Sequence, residues 1–374
     1  MKIGFDAKRA FYNKSGLGNY SRSAIDMLCN FFPGNQYFLF TPKTNNAIEI
    51  PRYKNMQDIS PSGYFGKKFS SFWRTYGVSS LLKNNNFDIF HGLSNELPTG
   101  IAKTNTKAIV TIHDLIFVRY PELYKPIDRF IYRQKFAGAC KAADTVIAIS
   151  QQTKRDIIEF FGIDEKKIKV VYQICNPIFY QQQTSEKKLM VASKYNLPKD
   201  YILMVSTIEE RKNALTVIKA VHRAKIDMPV VLVGRPTPYL DKIKLYCKEN
   251  KIENKVQYIT NIDFVDLPAI YQMANLLAYP SIFEGFGLPV LEALHSGVPV
   301  ITTKGGCFAE AGGEHSVYVN PTDVDELQHE IVKVLSDTNL RRNMIENGLI
   351  HAQKFLPEKV ANNLMDVYQL TIDN

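Results

Sequence analysis

The stretch Leu276-Leu-Ala-Tyr-Pro-Ser-Ile-Phe-Glu-Gly-Phe-Gly-Leu-Pro-Val-Leu-Glu-Ala-Leu-His-Ser-Gly-Val-Pro-Val-Ile-Thr-Thr303 decides the fold of the second half of the chain. The apolar run 276–279 predicts a strand that is buried on both faces. Pro289 predicts the first position of a helix that ends at Gly297, and 298–302 predicts the next strand. The order of strand, Gly-rich turn, helix and strand indicates a parallel sheet, whose ligands bind at the carboxyl ends of its strands.

The Gly-rich turn of this stretch predicts an anion site. A helix that begins just after it presents unpaired backbone N–H groups and the positive end of its dipole, which suits a phosphate. Two carboxylates flank the turn, Glu284 within it and Glu292 about one turn into the helix. Because an acid does not bind a phosphate, we expect both glutamates to accept hydrogen bonds from sugar or ribose hydroxyls.

The run E-G-F-G-L-P-V-L-E-A-L-x-x-G-x-P-V resembles the E-x7-E signature of retaining glycosyltransferases of family 4, which have the GT-B fold. A lone E-x7-E is equally typical of any Gly-rich α/β connection with two solvated glutamates, but the full run favours the family. The resemblance implies that Glu284 binds sugar hydroxyls and that Glu292 binds the ribose. It also implies that the donor diphosphate meets the backbone of the turn, at Gly285, Phe286, Gly287 and Leu288.

The fold implied by this family is α/β, with two Rossmann-like doubly wound domains facing across a cleft. We expect an acceptor-binding domain at 1–178 and a nucleotide-sugar domain at 179–357. A C-terminal helix at 358–374 would cross back to the first domain, and Pro357 would permit the bend.

Three further segments resemble the family's site residues. Arg211 and Lys212, in an R-K-N run after a predicted strand, would neutralise the diphosphate, although Ser206 stands where the family has glycine. His113 ends another predicted strand in an H-D dipeptide and would contact the transferred sugar. Without the resemblance, Arg211 and Lys212 could equally be solvated surface residues. A histidine at a strand end, such as His113, could equally cap a loop.

Two weaker candidates for donor binding lie in loops. Gly16 and Gly18 precede a predicted helix, where glycines let backbone N–H groups approach a phosphate, but a flexible loop is the simpler interpretation. The loop 260–263, which contains Ile262, would lie near the nucleotide base if the resemblance holds.

Composition sets the broad class. The chain has 374 residues, enough for two α/β domains, and no run of eighteen apolar residues that could span a bilayer. Its five cysteines are scattered and odd in number, which argues against a disulfide scaffold and a zinc site and indicates reduced thiols. The N-terminus does not read as a signal peptide, and we expect a cytoplasmic protein.

The net charge of +9 is unevenly distributed. Residues 1–180 contain 25 Lys and Arg against 14 Asp and Glu, and the rest contains 21 against 23. The positive half could face an acidic substrate, anionic lipid or nucleic acid. Nucleic acid is the least favoured of these partners because no binding module accompanies the charge.

An aromatic helix is predicted at 65–76, with basic residues on its opposite face. Such a helix could lie on an anionic membrane, at the inner face if the protein is cytoplasmic. The alternative, which we favour, is that its aromatic face packs on the first sheet. The aromatic residues are Phe65, Phe69, Phe72, Trp73 and Tyr76, and the basic ones are Lys67 and Arg74.

The chain as a whole predicts a retaining glycosyltransferase that uses a nucleotide-sugar donor and an oligosaccharide or lipid-linked acceptor. The resemblance favours mannose from GDP-mannose, in the synthesis of surface polysaccharide or another glycoconjugate. We predict no cofactor and no metal site. The alternatives are an epimerase or phosphorylase of the same fold, and a non-catalytic subunit that binds nucleotide sugars.

Overall fold

The computed structural model describes residues 1–43, 48–61 and 72–374, which form two compact units. Unit 1 comprises Met1–Ile174 and Phe355–Asn374, and unit 2 comprises Cys175–Lys354. From the sequence, the same two junctions are expected a few residues later, at 178/179 and 357/358. Of the predicted aromatic helix, Phe65, Lys67 and Phe69 lie outside the described residues.

Unit 1 contains a seven-stranded parallel sheet in the order β3-β2-β1-β4-β5-β6-β7. The strands are β1 (Lys2–Asp6), β2 (Gln36–Phe40), β3 (Met56–Ile59), β4 (Ile89–Gly92), β5 (Lys107–Ile112), β6 (Thr145–Ala148) and β7 (Ile168–Val170). β3 was not predicted, because this strand carries Gln57 and Asp58 and, among the described residues, pairs only with β2. An edge strand that is only half buried lacks the apolar run by which the central strands are recognised.

Helices cover the sheet of unit 1. They are Lys8–Tyr12, Gly16–Phe31, Val78–Asn84, Ile116–Arg119, Pro126–Ala142, Gln151–Phe161 and the terminal helix, Pro357–Asp373. Pro357 occupies the first position of the terminal helix, where its missing N–H costs nothing. Val360, Leu364 and Tyr368 of this helix join the same buried cluster as Ile25 of Gly16–Phe31.

Unit 2 contains a six-stranded parallel sheet in the order β10-β9-β8-β11-β12-β13. The strands are β8 (Ile202–Val205), β9 (Val230–Val233), β10 (Val256–Ile259), β11 (Leu276–Tyr279), β12 (Val300–Thr303) and β13 (Val317–Val319). The helices are Ser185–Tyr195, Ala214–Arg223, Tyr239–Glu249, Leu267–Met273, Leu288–His295, Phe308–Gly312, Val324–Ser336 and Thr338–Ala352.

Both sheets reverse their strand order at one place, between β1 and β4 in unit 1 and between β8 and β11 in unit 2. The prediction of two doubly wound, Rossmann-like domains is therefore confirmed. In such a sheet, the loops that follow the two strands at the reversal diverge and leave a crevice in which ligands bind. The quoted stretch supplies β11 and the loop after it.

The end of the predicted aromatic helix is described and differs from the expectation in two respects. Trp73 packs beside Phe40 at a ring distance of 6.4 Å, whereas Phe72 and Tyr76 are exposed. Arg74 was expected on the solvent side, but it is largely buried and pairs with Asp6 and Glu96. Two carboxylates at the edge of the sheet attract the guanidinium, and a helical periodicity cannot reveal them.

Across residues 1–43, 48–61 and 72–374, every helix is too short or too polar to cross a bilayer.

Candidate active site

The reversal of strand order in unit 2 brings two loops of the chain together. The loop after β8 carries Arg211 and Lys212, and the loop after β11 carries Glu284. The backbone N–H of Ile282 donates to the carbonyl of Arg211 at 2.8 Å. The Asn213 amide donates to the carbonyl of Pro280 at 3.2 Å. These bonds hold the two loops in register, so the predicted site residues 211, 212 and 284 form one cluster.

The carboxylate of Glu284 lies at the centre of this cluster. Its Oε1 accepts hydrogen bonds from Lys212 Nζ at 2.5 Å, Ser281 Oγ at 2.7 Å and Tyr279 Oη at 2.8 Å. Arg211 Nη1 lies 3.2 Å from the same oxygen. Burial opposes ionisation, but the two cations outweigh it and lower the pKa of Glu284 to about 2. No described residue bonds to the other oxygen, Oε2, which can accept hydrogen bonds from a ligand.

The two cations of the cluster are held differently. Arg211 bonds to the carbonyl of Phe283 and, at 2.8 Å, to Glu209, so its guanidinium is fixed on both sides. Lys212 bonds to Glu284 and to Tyr279 Oη at 3.0 Å. An ammonium group has three N–H donors, and these two partners use two of them among the described residues. Lys212 therefore retains a donor for a further acceptor.

Ser206 occupies the position at which the family has glycine, and the structure explains how this serine is accommodated. The close backbone approach at this point is made by Gly234, at the end of β9. A Cβ atom on Gly234 would lie 1.8 Å from the carbonyl oxygen of Ser206, and its φ is +147°. The residue that must lack a side chain here is Gly234, which follows the neighbouring strand β9. The side chain of Ser206 therefore does not prevent the close contact between the two backbones.

The turn after β11 ends in Gly287, which directly precedes the helix Leu288–His295. Gly287 has φ +102°, a left-handed conformation that a residue with a side chain adopts only with strain. Its carbonyl accepts the N–H of Val290 at 3.0 Å and so begins the helix. Pro289 is the second helical residue, one position later than predicted.

Glu292 lies on this helix in a different electrostatic environment. Tyr271 Oη donates to its Oε2 at 2.8 Å, and no cation of the described residues pairs with it. Burial therefore prevails over this hydrogen bond and raises the pKa of Glu292 to about 7. The two glutamates of the motif thus differ in charge near neutral pH, although the sequence pattern treats them alike.

Ile262 belongs to the loop that follows β10, the outer strand on the other side of β9. Its side chain is partly exposed. The adjacent Asp263 and Asp266 bind Lys194 at 2.5 and 2.7 Å, which fixes the loop to the helix Ser185–Tyr195. In the sheet, β9 lies between β10 and β8, so this loop is separated from the loops that carry Arg211, Lys212 and Glu284.

In unit 1, His113 follows β5 and is buried. Its Nε2 bonds to the carbonyl oxygen of Leu93 at 2.9 Å. Because a carbonyl only accepts, Nε2 carries the proton and Nδ1 is an acceptor. Burial lowers the pKa of His113 to about 4, so the ring is neutral at pH 7. Tyr20 packs edge-on against it at a ring distance of 4.6 Å.

A buried polar network behind His113 was not predicted. His91 Nδ1 bonds to Tyr368 Oη at 2.6 Å, and its Nε2 bonds to Thr111 Oγ1 at 2.8 Å. Tyr20 Oη lies 3.1 Å from the same Thr111 oxygen. The network joins β4, β5 and two helices of unit 1. Its bonded partners His91 and Tyr368 lie 277 residues apart in the chain, so no local pattern could indicate the network.

The structure gives Gly18 a packing role. A Cβ atom there would lie 1.8 Å from the carbonyl oxygen of Asn13, whereas Gly16 has open space around it. Both lie in the first turn of the helix Gly16–Phe31. The glycine at 18 is required for backbone packing inside unit 1. The prediction that these two glycines bind the donor phosphate has no direct support from the contacts.

A cavity of about 410 Å³ lies at the carboxyl ends of β1 and β4 in unit 1. Its wall includes Asp6, Arg74, Glu96 and Lys135. Arg74 Nε bonds to Asp6 Oδ2 at 2.9 Å, and Arg74 Nη1 bonds to Glu96 Oε2 at 2.8 Å. The sequence analysis assigned none of these residues to a site. The carboxylates project from the reversal of strand order, where a doubly wound sheet binds ligands.

The prediction of no metal site overlooks one Asp-x-Asp triplet, Asp323-Val-Asp325. In the structure, Asp323 caps a helix by accepting the N–H groups of Asp325 and Glu326 at 3.0 and 2.9 Å. Asp325 pairs with Arg223 at 2.9 Å. Within the described residues, no group of three or more His, Cys, Asp or Glu side chains has the arrangement of a metal site.

Two family models match this chain in succession. The model described as Glycosyltransferase Family 4 matches residues 17–177. The model described as Glycosyl transferases group 1 matches residues 185–350. The first match lies within unit 1, apart from its last three residues, and the second lies within unit 2.

Individual relatives agree with these models. The chain is 26% identical to the O-antigen chain mannosyltransferase B of Escherichia coli, over 99% of this chain and 100% of the relative. It is 27% identical to the O-antigen chain mannosyltransferase RfbU of Salmonella typhimurium, over 60% of each. A glycosyltransferase structure from Rickettsia africae aligns with a TM-score of 0.77 at 19% identity, covering 100% of this chain and 98% of that one.

Proposed function

The chain is a glycosyltransferase of family 4 with the GT-B type of fold, and from that premise we propose that it transfers a hexose from a nucleoside diphosphate sugar with retention of configuration. Mannose from GDP-mannose is the donor that we favour, since two of its relatives carry the name mannosyltransferase. The observation that carries the proposal is the cluster of Lys212, Arg211 and Glu284 at the reversal of strand order in unit 2.

In this proposal Glu284 orients the donor sugar. Its Oε1 is saturated by four donors, which fix the carboxylate in one position. Its Oε2 then accepts hydrogen bonds from sugar hydroxyls. Since Glu284 is ionised at neutral pH, these are charge-assisted bonds, which are stronger than bonds between neutral groups. Glu292 binds the ribose of the nucleotide through hydrogen bonds to its carboxyl group.

The diphosphate gains negative charge as the glycosidic bond breaks. Lys212 has a donor left for a phosphate oxygen, and the backbone at Gly287 and Leu288 starts a helix whose dipole favours an anion. Arg211 stands beside Lys212 and adds its positive field. These groups are fixed before the reaction, so they stabilise the transition state more than the ground state.

The acceptor binds in unit 1, near His113. The neutral His113 ring presents Nδ1 as an acceptor for a hydroxyl of the transferred sugar. The acceptor hydroxyl and the leaving phosphate share a proton on one face of the sugar, which gives retention without a covalent intermediate. The acceptor is a sugar or a lipid-linked sugar of a surface polysaccharide or another glycoconjugate.

We also place the protein in the cytoplasm, with peripheral contact to the inner face of the membrane where a lipid-linked acceptor is presented. No cofactor takes part in this mechanism, and neither does a metal ion.

A thermal-shift screen of nucleotide sugars, followed by a transfer assay, tests the proposal. GDP-mannose should raise the melting temperature more than GDP alone or UDP-glucose does, by mass action on the folded state. NMR of the product should show the anomeric configuration of the donor. Transfer should continue after chelation of divalent metals. An inverted product, or activity that is lost on chelation and restored by a divalent ion, would contradict the mechanism.

A further inference from the structure

The helix Pro126–Ala142 of unit 1 has exposed apolar residues on one face. Ile127 is 67% exposed, Phe130 65% and Ile131 42%. Their spacing of three and four residues places them together on one side of the helix. On the other side, Phe136 packs edge-on against Phe117 at 5.2 Å, and Ala139 and Cys140 are buried. The helix is therefore anchored by one apolar face while it exposes a second one.

Basic side chains surround this exposed face. Between 125 and 142 the chain has five Lys and Arg residues and one acidic residue, Asp128. Lys125 and Arg133 are exposed, and Arg133 follows Phe130 by three residues on the helix. We call the set Lys125, Ile127, Phe130, Ile131 and Arg133 the outer patch. Exposed apolar side chains with basic neighbours are the composition of helices that lie at a membrane interface.

We propose that the outer patch binds the surface of a bilayer that contains anionic lipids. Ile127, Phe130 and Ile131 would enter the boundary between headgroups and acyl chains, and Lys125 and Arg133 would meet the phosphates. The predicted membrane contact at 65–76 is thereby assigned to a different helix.

The charge distinguishes a bilayer from a second copy of this chain. In a two-fold dimer the same patch occurs on both subunits and meets itself. The basic residues of one outer patch would then face those of the other, and like charges at an interface oppose binding. An anionic lipid surface complements both the apolar and the basic part of the patch.

Membrane binding by the helix Pro126–Ala142 would bring the cavity of unit 1 to the lipid surface, and this step rests on the proposed function. Gln134, Lys135 and Gly138 of the same helix line the 410 Å³ cavity of unit 1, together with Arg74 and Thr75. The exposed Phe72 and Tyr76 lie on either side of Arg74 and Thr75 in the sequence, and their rings contact each other with centroids 4.7 Å apart. A cavity whose wall belongs to a membrane-bound helix is well placed to receive a sugar that is attached to a lipid.

Vesicle flotation of the full-length chain tests the proposal. The wild type should bind vesicles of phosphatidylglycerol and phosphatidylcholine, and should bind phosphatidylcholine alone far more weakly. The double variant Ile127→Ser and Phe130→Ser should lower the partition coefficient by at least about tenfold, because two large apolar side chains no longer leave water. Arg133→Glu should lower it further at low salt than at high salt.

Matched controls lie in unit 2. Ile350 is 68% exposed, so Ile350→Ser removes an equally exposed isoleucine that does not belong to the outer patch and should leave binding unchanged. Arg342→Glu is the control for Arg133→Glu. Circular dichroism should show that all the variants fold, since their side chains are exposed.

Three results would overturn the proposal. The wild type could fail to bind anionic vesicles, or the patch variants could bind as the wild type does. Alternatively, the wild type could form a dimer in size-exclusion chromatography that Phe130→Ser dissociates, in which case the patch is a protein interface. Transfer to a water-soluble acceptor reports on the proposed function separately: it should be unchanged in the patch variants, and its absence from the wild type would contradict the function without affecting the vesicle result.

Discussion

Lys212 Nζ lies 2.5 Å from Glu284 Oε1, although 72 residues separate the two in the chain. The pair forms because β8 and β11 are neighbours in the sheet, so the loops that follow them meet at their carboxyl ends. Both side chains are largely buried. Each charge is therefore stabilised by the other, and removing one would leave the other unpaired in a site with little water.

We predict that Glu284→Gln abolishes most transfer and also destabilises the fold. The glutamine keeps the shape but leaves Lys212 and Arg211 without their counter-charge, which should cost roughly 3 kcal/mol of unfolding free energy. The loss of the sugar-orienting carboxylate should lower kcat by at least about a hundredfold. Urea unfolding and initial rates measure the two effects. Glu210→Gln is the control, because Glu210 is exposed and pairs with Lys242. Near-normal turnover in folded Glu284→Gln would refute the assignment.

Lys212→Met should weaken the binding of GDP by about tenfold or more, because a charge-assisted bond to the diphosphate is lost. Isothermal titration calorimetry at constant ionic strength measures the dissociation constant. Lys242→Met removes an exposed lysine of the same unit and should leave the affinity unchanged. If the two variants bind GDP equally well, Lys212 does not contact the diphosphate.

Glu292→Gln should stabilise the unliganded protein, and more so at higher pH. The pKa of Glu292 is raised by burial from an ordinary value of 4.5 to about 7, so the folded state holds this proton more tightly than the unfolded state does. Its contribution to stability is thus present below the ordinary pKa and is lost as the pH rises through 7. Glutamine cannot ionise and avoids this loss.

The melting temperature of Glu292→Gln relative to the wild type should therefore increase between about pH 5 and pH 8. Glu253→Gln, at an exposed position, should show no such trend. The same Glu292 variant should bind the nucleotide sugar more weakly if Glu292 contacts the ribose. A pH-independent difference in melting temperature would show that Glu292 is not the group that titrates.

Gly18→Ala should destabilise unit 1 by roughly 2 kcal/mol or more, because its Cβ atom would overlap a backbone carbonyl that no rotamer change can move. Gly16→Ala, two residues earlier in the same helical turn, has room for the methyl group and should change stability by less than about 1 kcal/mol. Urea unfolding compares the two. Equal stabilities would mean that the Asn13 segment moves aside.

The donor half of the site was predicted more completely than the acceptor half. The reason is that much of the donor half comes from residues that are contiguous in sequence, whereas side chains of the acceptor half pair with residues that are distant in sequence. The turn 284–288, its helix and both flanking strands are contiguous in sequence, so proline, glycine and apolar spacing indicate them directly. By contrast, Arg74 was expected in solvent, because its partners Asp6 and Glu96 come from two other elements.

The sequence by itself indicated the central buried strands of both sheets, since buried parallel strands are continuous apolar runs. The doubly wound order of the two sheets was what the resemblance to the family implied. The sequence also determined which residue types stand at the strand ends. Only the tertiary structure decided their electrostatic states. Glu284 and Glu292 are the same residue in one motif, yet one meets two cations from a loop 72 residues away and the other meets a tyrosine hydroxyl. Burial and charged neighbours set a pKa, and both depend on which loops the sheet brings together.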